Sequence, residues 1–274
     1  MRTSLLTSLY KHYSLENTIL QIAVAGFDAV EIWGGRPHAY PGDLLEHDIQ
    51  YVRSIVDEHG LVISAIFPAQ YHSPCCLCSP DEKIRMQSVH WLSTSIELAV
   101  RLGAPKVIIC PSHSLHDQDP DEAWDLLADS LYKLCEFTGH YNILLAIEPS
   151  DRNATDMINT TIQAIDMIDQ IGCDNLGVSF NTGHALIAGE DTQTAIENLG
   201  DKLLHVHVND NDGEKDQHLV PGQGQYDFQG MIHALRLVQF DGCLSADLNW
   251  EYAADPDPAA NKTQEFLENL ITRS

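Results

Sequence analysis

Residues 142–181, NILLAIEPSDRNATDMINTTIQAIDMIDQIGCDNLGVSFN, read in turn as strand, helix and strand. NILLAI (142–147) is an unbroken apolar run, the pattern of a strand buried on both faces. It stops at Glu148, and Pro149 turns the chain out of the sheet. The segment 158–171 then carries apolar residues three and four apart, which is helical spacing. NLGVSF (175–180) is a second such run and stops at Asn181. Strand, crossover helix and strand form the unit of a parallel sheet.

The same alternation extends in both directions. Apolar runs near 3–8, 28–33 (DAVEIW), 61–67 (LVISAIF), 105–110 (PKVIIC), 203–208 (LLHVHV) and 243–247 (CLSAD) bring the strands to eight. Segments 14–25, 45–59, 81–103, 120–138, 191–199, 227–238 and 258–272 have the helical period. In 81–103, Ile84, Met86, Val89, Leu92, Ile96, Ala99 and Val100 form the apolar stripe, while Glu82, Lys83, Arg85 and Gln87 line the other side. Eight strand–helix units predict a (β/α)8 TIM barrel, an α/β fold in which residues 1–274 form a single domain. An open doubly wound sheet would carry a GxGxxG turn after its first strand, and none is present.

At 274 residues and 44% hydrophobic, the chain matches the roughly 250 residues of such a barrel. No run approaches the ~18 consecutive apolar residues of a membrane span, and the amino terminus lacks a secretory pattern, so a cytoplasmic protein with no membrane partner is expected. Seven scattered cysteines fit reduced thiols, those of CCLC (75–78) being read as loop thiols. With 15 basic against 40 acidic residues and a net charge of −25, the chain is a poor match for a phosphate backbone, which argues against nucleic acid. A homo-oligomer remains compatible with the composition.

Glu148, Asn181, His207 and Asp247 each stand where an apolar run ends. Parallel strands gather such positions at the carboxyl edge of the barrel, where barrel enzymes place their chemistry. Two carboxylates, an imidazole and an amide form a hard, oxygen-rich set suited to manganese, with magnesium, cobalt and zinc as alternatives. Asn181 either gives its oxygen to a cation or caps the following turn. His205 and His207 alternate on one face, with His205 deeper and in support. The polar loop after them brings Asp216 and His218 to close over a ligand, and its PGQG (221–224), lacking a lysine and a helix start, reads as a turn. Glu148 and Asp247, on opposite walls with one cation between them, suit removal of a proton from one face of a carbon and its return to the other.

The chain resembles the xylose-isomerase-like barrels, which include the ketose 3-epimerases, and most closely the fructoselysine 3-epimerases among them. The resemblance spans nearly the whole chain and is carried by GFDAVEIWGGRPHAY (26–40), IEP (147–149), NTGHA (181–185), HVHVNDNDG (205–213), DQHLVPGQG (216–224) and LSADL (244–248). It implies a small sugar substrate, epimerisation at C3 of a ketose or ketose-amine adduct through an enediolate, and metal ligands at Glu148, Asn181, His207 and Asp247, the two acids also moving the proton. It further implies sugar contacts at Glu31 and Trp33 on the second strand, at Arg36 and His38 on its loop, and at His113 and His184. His72 and His116 read as surface loop residues.

The family pattern has Asp where this chain has Asn181, and Glu where it has Asp247. A neutral amide holds a divalent cation less strongly than a carboxylate. An Asp in place of Glu shortens the reach by roughly 1–1.5 Å, and displacement on that scale costs on the order of 10²-fold in rate. Two alternatives follow: a sugar-binding barrel with a degenerate site and little turnover, and a zinc-dependent apurinic-site endonuclease using Glu148, His184, His207, Asp216, His218 and Asp247. The acidic charge opposes the second.

Overall fold

The computed structural model describes residues 1–70 and 75–273, so His72 lies outside the described residues. The expected alternation closes on itself. Strands β1 (Arg2–Leu6), β2 (Ala29–Gly34), β3 (Val62–Pro68), β4 (Lys106–Ile109), β5 (Leu144–Ile147), β6 (Leu176–Asn181), β7 (Leu203–Val208) and β8 (Cys243–Ala246) form a closed barrel in sequence order. Every pairing is parallel, and β1 pairs with both β2 and β8. Helices α1 (Leu15–Ala25), α2 (Glu46–Glu58), α3 (Glu82–Leu102), α4 (Pro120–Thr138), α5 (Thr161–Ile171), α6 (Thr182–Ala188), α7 (Thr192–Leu199) and α8 (Phe228–Leu237) occupy the crossovers, and α9 (Asp257–Arg273) follows β8.

Helix boundaries follow from side chains that satisfy the free backbone groups at each end. Asp81 accepts from the amides of Lys83 and Ile84 to start α3, and Asp119, followed by Pro120 at the first helical position, starts α4. Thr160 and Gln163 form a capping box, so α5 begins at Thr161 rather than at 158. Ile158 is instead tied to the preceding loop, its carbonyl accepting from Ser150 N at 3.1 Å. The sequence reading took the stretch after Asn181 as a turn; the structure makes it α6, a helix of 7 residues capped by Asn181 itself.

Two apolar layers divide the strands' side chains. Val178, Phe180, Val206 and Val208 pack outward in the core shared with the helices. Leu6, Trp33, Ala65, Phe67, Ile108 and Ala146 form a second cluster. In β6, Gly177 faces a close approach of β7: an added Cβ would lie 2.5 Å from Lys202 O and 2.6 Å from Leu204 Cγ. Gly177→Ala should therefore lower stability by about 1–3 kcal/mol through overpacking, read as a fall in the thermal unfolding midpoint.

Candidate active site

The site is built from the carboxyl ends of β5 to β8. The Glu148 amide donates to Ile109 O at 2.9 Å, extending the sheet by one residue and fixing the side chain at the barrel mouth. Ser179 Oγ donates to Glu148 Oε2 at 3.0 Å, and His207 Nδ1 reaches the same oxygen. Asp247 is held by His218, whose Nδ1 lies 3.1 Å from Asp247 Oδ2. Burial alone would raise the Asp247 carboxyl, but His218 outweighs it and holds the group below the usual carboxylate range. One oxygen of Glu148, one of Asp247 and a ring nitrogen of His207 lie within 4.8 Å of one another.

A cavity of about 340 Å³ opens onto these groups. Its polar side carries Glu148, His184, Asp216, His218 and Asp247, and its apolar side carries Trp33, Phe67 and Trp250. Among the described residues that line it there is no Lys or Arg. Trp33 and Trp250 meet edge to face with centroids 6.0 Å apart, and Lys11 Nζ caps the Trp250 ring at 4.2 Å.

Asp216 and His218 are set by the loop after β7. The Asp210 carboxylate accepts from the amides of Gly222, Gly224 and Tyr226 at 2.9, 2.8 and 3.0 Å, folding PGQG against the barrel as a turn. A Cβ at 224 would stand 2.2 Å from Asn211 O, so this close approach requires glycine. His218 Nε2 then reaches Asp216 Oδ2 at 3.1 Å. Burial would lower the His218 ring, yet Asp247 and Asp216 raise it well above its ordinary value. His184 Nδ1, 3.8 Å from Asp216 Oδ1, is buried and has no hydrogen-bond partner.

Several expected contacts are placed elsewhere. Asn181 Oδ1 accepts from the amides of Gly183 and His184 and from Asn209 Nδ2, at 3.1, 3.2 and 3.0 Å. These contacts make Asn181 the cap of α6, and three donors already meet its amide oxygen. Glu31 is fully buried and does not line the cavity, because two residues along β2 place it roughly 6–7 Å deeper than Trp33. It pairs there with His205 and His207. Arg36 turns outward, bonding Asp43 at 2.8 Å and lying over the Tyr40 ring. His113 binds Ser114 O at 2.8 Å and faces Asp156, away from the lining.

His38 is also no pocket contact. It is buried and bridges two loops: Nε2–H donates to Tyr13 O at 3.2 Å, while Nδ1 receives the Thr7 hydroxyl at 3.1 Å. Thr7 Oγ1 in turn accepts the Trp33 amide at 2.9 Å, so His38 holds the indole in place indirectly. Ser179, Phe67 and Trp250 were not singled out from the sequence. Ser179 alternates with Asn181 on β6, and that period could have found it.

A family model described as "Xylose isomerase-like TIM barrel" matches residues 19–270. Fructoselysine 3-epimerase of Shigella flexneri is 24% identical over 271 residues, covering 99% of this chain and 98% of that protein. L-ribulose 3-epimerase of Mesorhizobium japonicum is 27% identical over 236 residues, covering 84% and 74%. A solved L-ribulose 3-epimerase structure superposes with a TM-score of 0.85 at 23% identity, over 99% of this chain and 95% of that one, a likeness of fold.

Burial lowers the His38 ring from 6.5 to about 4. Above pH 6.5 neither folded nor unfolded chain binds this proton. Between 6.5 and 4 only the unfolded chain takes it up, so stability should fall with pH across that window by about 3 kcal/mol and then level off. Denaturant titrations of wild type and His38→Gln at pH 7 and pH 4.5 check this: the variant should lose less stability on acidification.

Proposed function

The chain belongs to the xylose isomerase-like TIM barrel family, and from that premise we propose that it is a sugar epimerase acting at C3 of a ketose or a fructoselysine-like ketose-amine adduct. The observation that supports this most is the convergence of Glu148, His207 and Asp247 within 4.8 Å beneath a cavity with an aromatic side.

These three residues fit a divalent cation. Two anionic oxygens and an imidazole nitrogen make a donor set for which manganese is the first choice, ahead of magnesium, cobalt and zinc. The chemistry such a cation supplies when bound is withdrawal of charge from the ketose carbonyl and its neighbouring hydroxyl. The protein groups account for the rest. Asp247 and Glu148 approach the sugar from strands β8 and β5, one to accept the C3 proton and the other to return a proton to the opposite face, with an enediolate between the two transfers. Ser179 holds Glu148 Oε2, and His218 Nδ1 meets both the main-chain carbonyl of Asp247 at 2.8 Å and its Oδ2 at 3.1 Å. His184, with an unpaired buried nitrogen, and Asp216 are placed to bind hydroxyls. Trp33, Phe67 and Trp250 cover the apolar face of the ring. The absence of Lys and Arg from the lining favours an unphosphorylated sugar.

Incubation with a panel of ketoses in deuterium oxide tests the reaction: label should enter C3, and Glu148→Gln should slow exchange by about 10²-fold or more even at saturating manganese. Product formed without solvent label would exclude the enediolate route. Metal analysis should show bound divalent ion lost in Glu148→Ala and His207→Ala.

The tied-up oxygen of Asn181 favours a second reading, a site weak in cation and slow in turnover. Asn181→Asp keeps the α6 cap and adds a charge beside Glu148; with Asp247→Glu it should tighten manganese binding and raise any C3 exchange rate. A double variant with unchanged affinity and rate would mean the site is tuned to a different ligand.

A further inference from the structure

The CCLC run (75–78) takes no part in the proposed proton transfers, yet the elements around it hold its main chain closely. The Ser79 amide donates to Cys76 O at 3.4 Å, which closes a turn over residues 76–79. The Cys76 amide donates to Ser88 Oγ on α3 at 2.8 Å, and the Leu77 amide to Ser112 Oγ after β4 at 2.7 Å. Leu77 O accepts from Ser130 Oγ on α4 at 2.7 Å, Cys78 O from Gln118 Nε2 at 2.9 Å, and Ser79 O from Arg85 Nη1 at 2.8 Å. A turn fixed in this way keeps Cys76 and Cys78 at one separation. Two Cα–Cα steps of about 3.8 Å bent through a turn leave their Cα atoms roughly 5–6 Å apart, inside the ~4.4–6.8 Å span of a disulfide.

The two thiols differ as an attacking and a resolving sulfur do. Cys76 is half-buried, while Cys78 is wholly buried. Cys78 donates its S–H to Cys76, and with the amides of Cys78 and Ser79 this lowers the Cys76 thiol to about 7, against the effect of burial. The same contact raises Cys78 well above the ordinary thiol value. The Cys76 proton, when present, meets His113 O at 3.8 Å. Neighbouring Cys75 is pushed up to about 12 by burial and stays a thiol.

We propose that Cys76 and Cys78 are a site of reversible oxidation, at which a hydroperoxide converts the pair into a disulfide within the turn. The Cys76 sulfur attacks one peroxide oxygen and breaks the O–O bond, giving a sulfenic acid and a hydroxide that takes up a proton as water. Cys76 is then neutral, so the contact that raised Cys78 is gone. The Cys78 sulfur attacks the Cys76 sulfur, the Cys78 proton leaves with the hydroxyl as a second water, and the S–S bond forms. The two thiols lose two electrons in all, and the peroxide gains them.

The test uses the wild-type protein. It is treated with hydrogen peroxide near neutral pH, free thiols are blocked with N-ethylmaleimide, and the disulfide is then reduced and labelled with iodoacetamide before peptide mapping. Iodoacetamide should appear on Cys76 and Cys78 together, with N-ethylmaleimide on Cys75, and dithiothreitol added before blocking should abolish the pattern. Early in the reaction Cys76 should oxidise roughly 5–10-fold faster than half-buried Cys173, because its larger thiolate fraction outweighs the lower nucleophilicity of that thiolate. Cys78→Ser should stop at the Cys76 sulfenic acid, trapped by dimedone. A bridge from Cys76 to Cys75, sulfinic acid on wild-type Cys76 with no bridge, or Cys76 no faster than Cys173 would each overturn the proposal, and none of these depends on a variant folding.

Discussion

His207 lies wholly out of solvent between two carboxylates, with Nε2 on Glu31 and Nδ1 on Glu148. Burial opposes a charge on the ring, but the two acids outweigh it and raise its proton affinity well above the ordinary value. The same contacts hold Glu31 well below the carboxylate range, against the effect of its own burial. Each of these charges would be costly to bury alone, and removing one partner of such a pair typically costs about 3–5 kcal/mol. The contact joins β2, β5 and β7, which are not neighbours in the sheet, so it braces the barrel across its interior. The site's charges and the barrel's rigidity are thus the same interaction.

Above this brace the cavity is divided by chain half. Strands β1 to β3 bring Leu6, Trp33 and Phe67, and β5 to β8 and their loops bring the acids and imidazoles. A sugar has the same division: C–H groups on one face of the ring suit an indole, and hydroxyls need acceptors and donors. Trp250 belongs with the first wall although it follows β8, because a short 3-10 helix (Trp250–Ala254) swings it back against Trp33. Lys11 closes the outer side of that indole.

The eight strands were legible because parallel strands buried on both faces leave unbroken apolar runs, and the polar residues ending four of those runs mark the barrel mouth. That rule found Glu148, His207 and Asp247. The resemblance put Glu31 beside Trp33 as a sugar contact, but alternation along a strand tells which face a side chain takes and not its depth, and two residues separate a pocket wall from the barrel interior. Arg36 and His38 were beyond reach for another reason. They follow the strand end, where the chain no longer has a period, and their positions depend on Asp43, Thr7 and Tyr13, partners that no spacing indicates. Helix α6 escaped because a helix of 7 residues is too short to display an apolar stripe, and it is held by Asn181 and by the Thr182 hydroxyl on Asn209 O at 2.6 Å.

Asn181 and Asp247 both bear on the charge gathered in the site. Glu148, Asp216 and Asp247 already bring three carboxylates to one cavity that no Lys or Arg lines. The Asn181 amide nitrogen stands 3.5 Å from Glu148 Oε1; a carboxylate in its place would face Glu148 at the same separation, a like-charge contact that only a bound cation could offset. The amide removes that repulsion and keeps the α6 cap. At the other wall, Asp247 lies within reach of His218, which supplies the positive charge from the protein itself. The amide at 181 and the imidazole at 218 thus limit the like-charge repulsion among the carboxylates of the site.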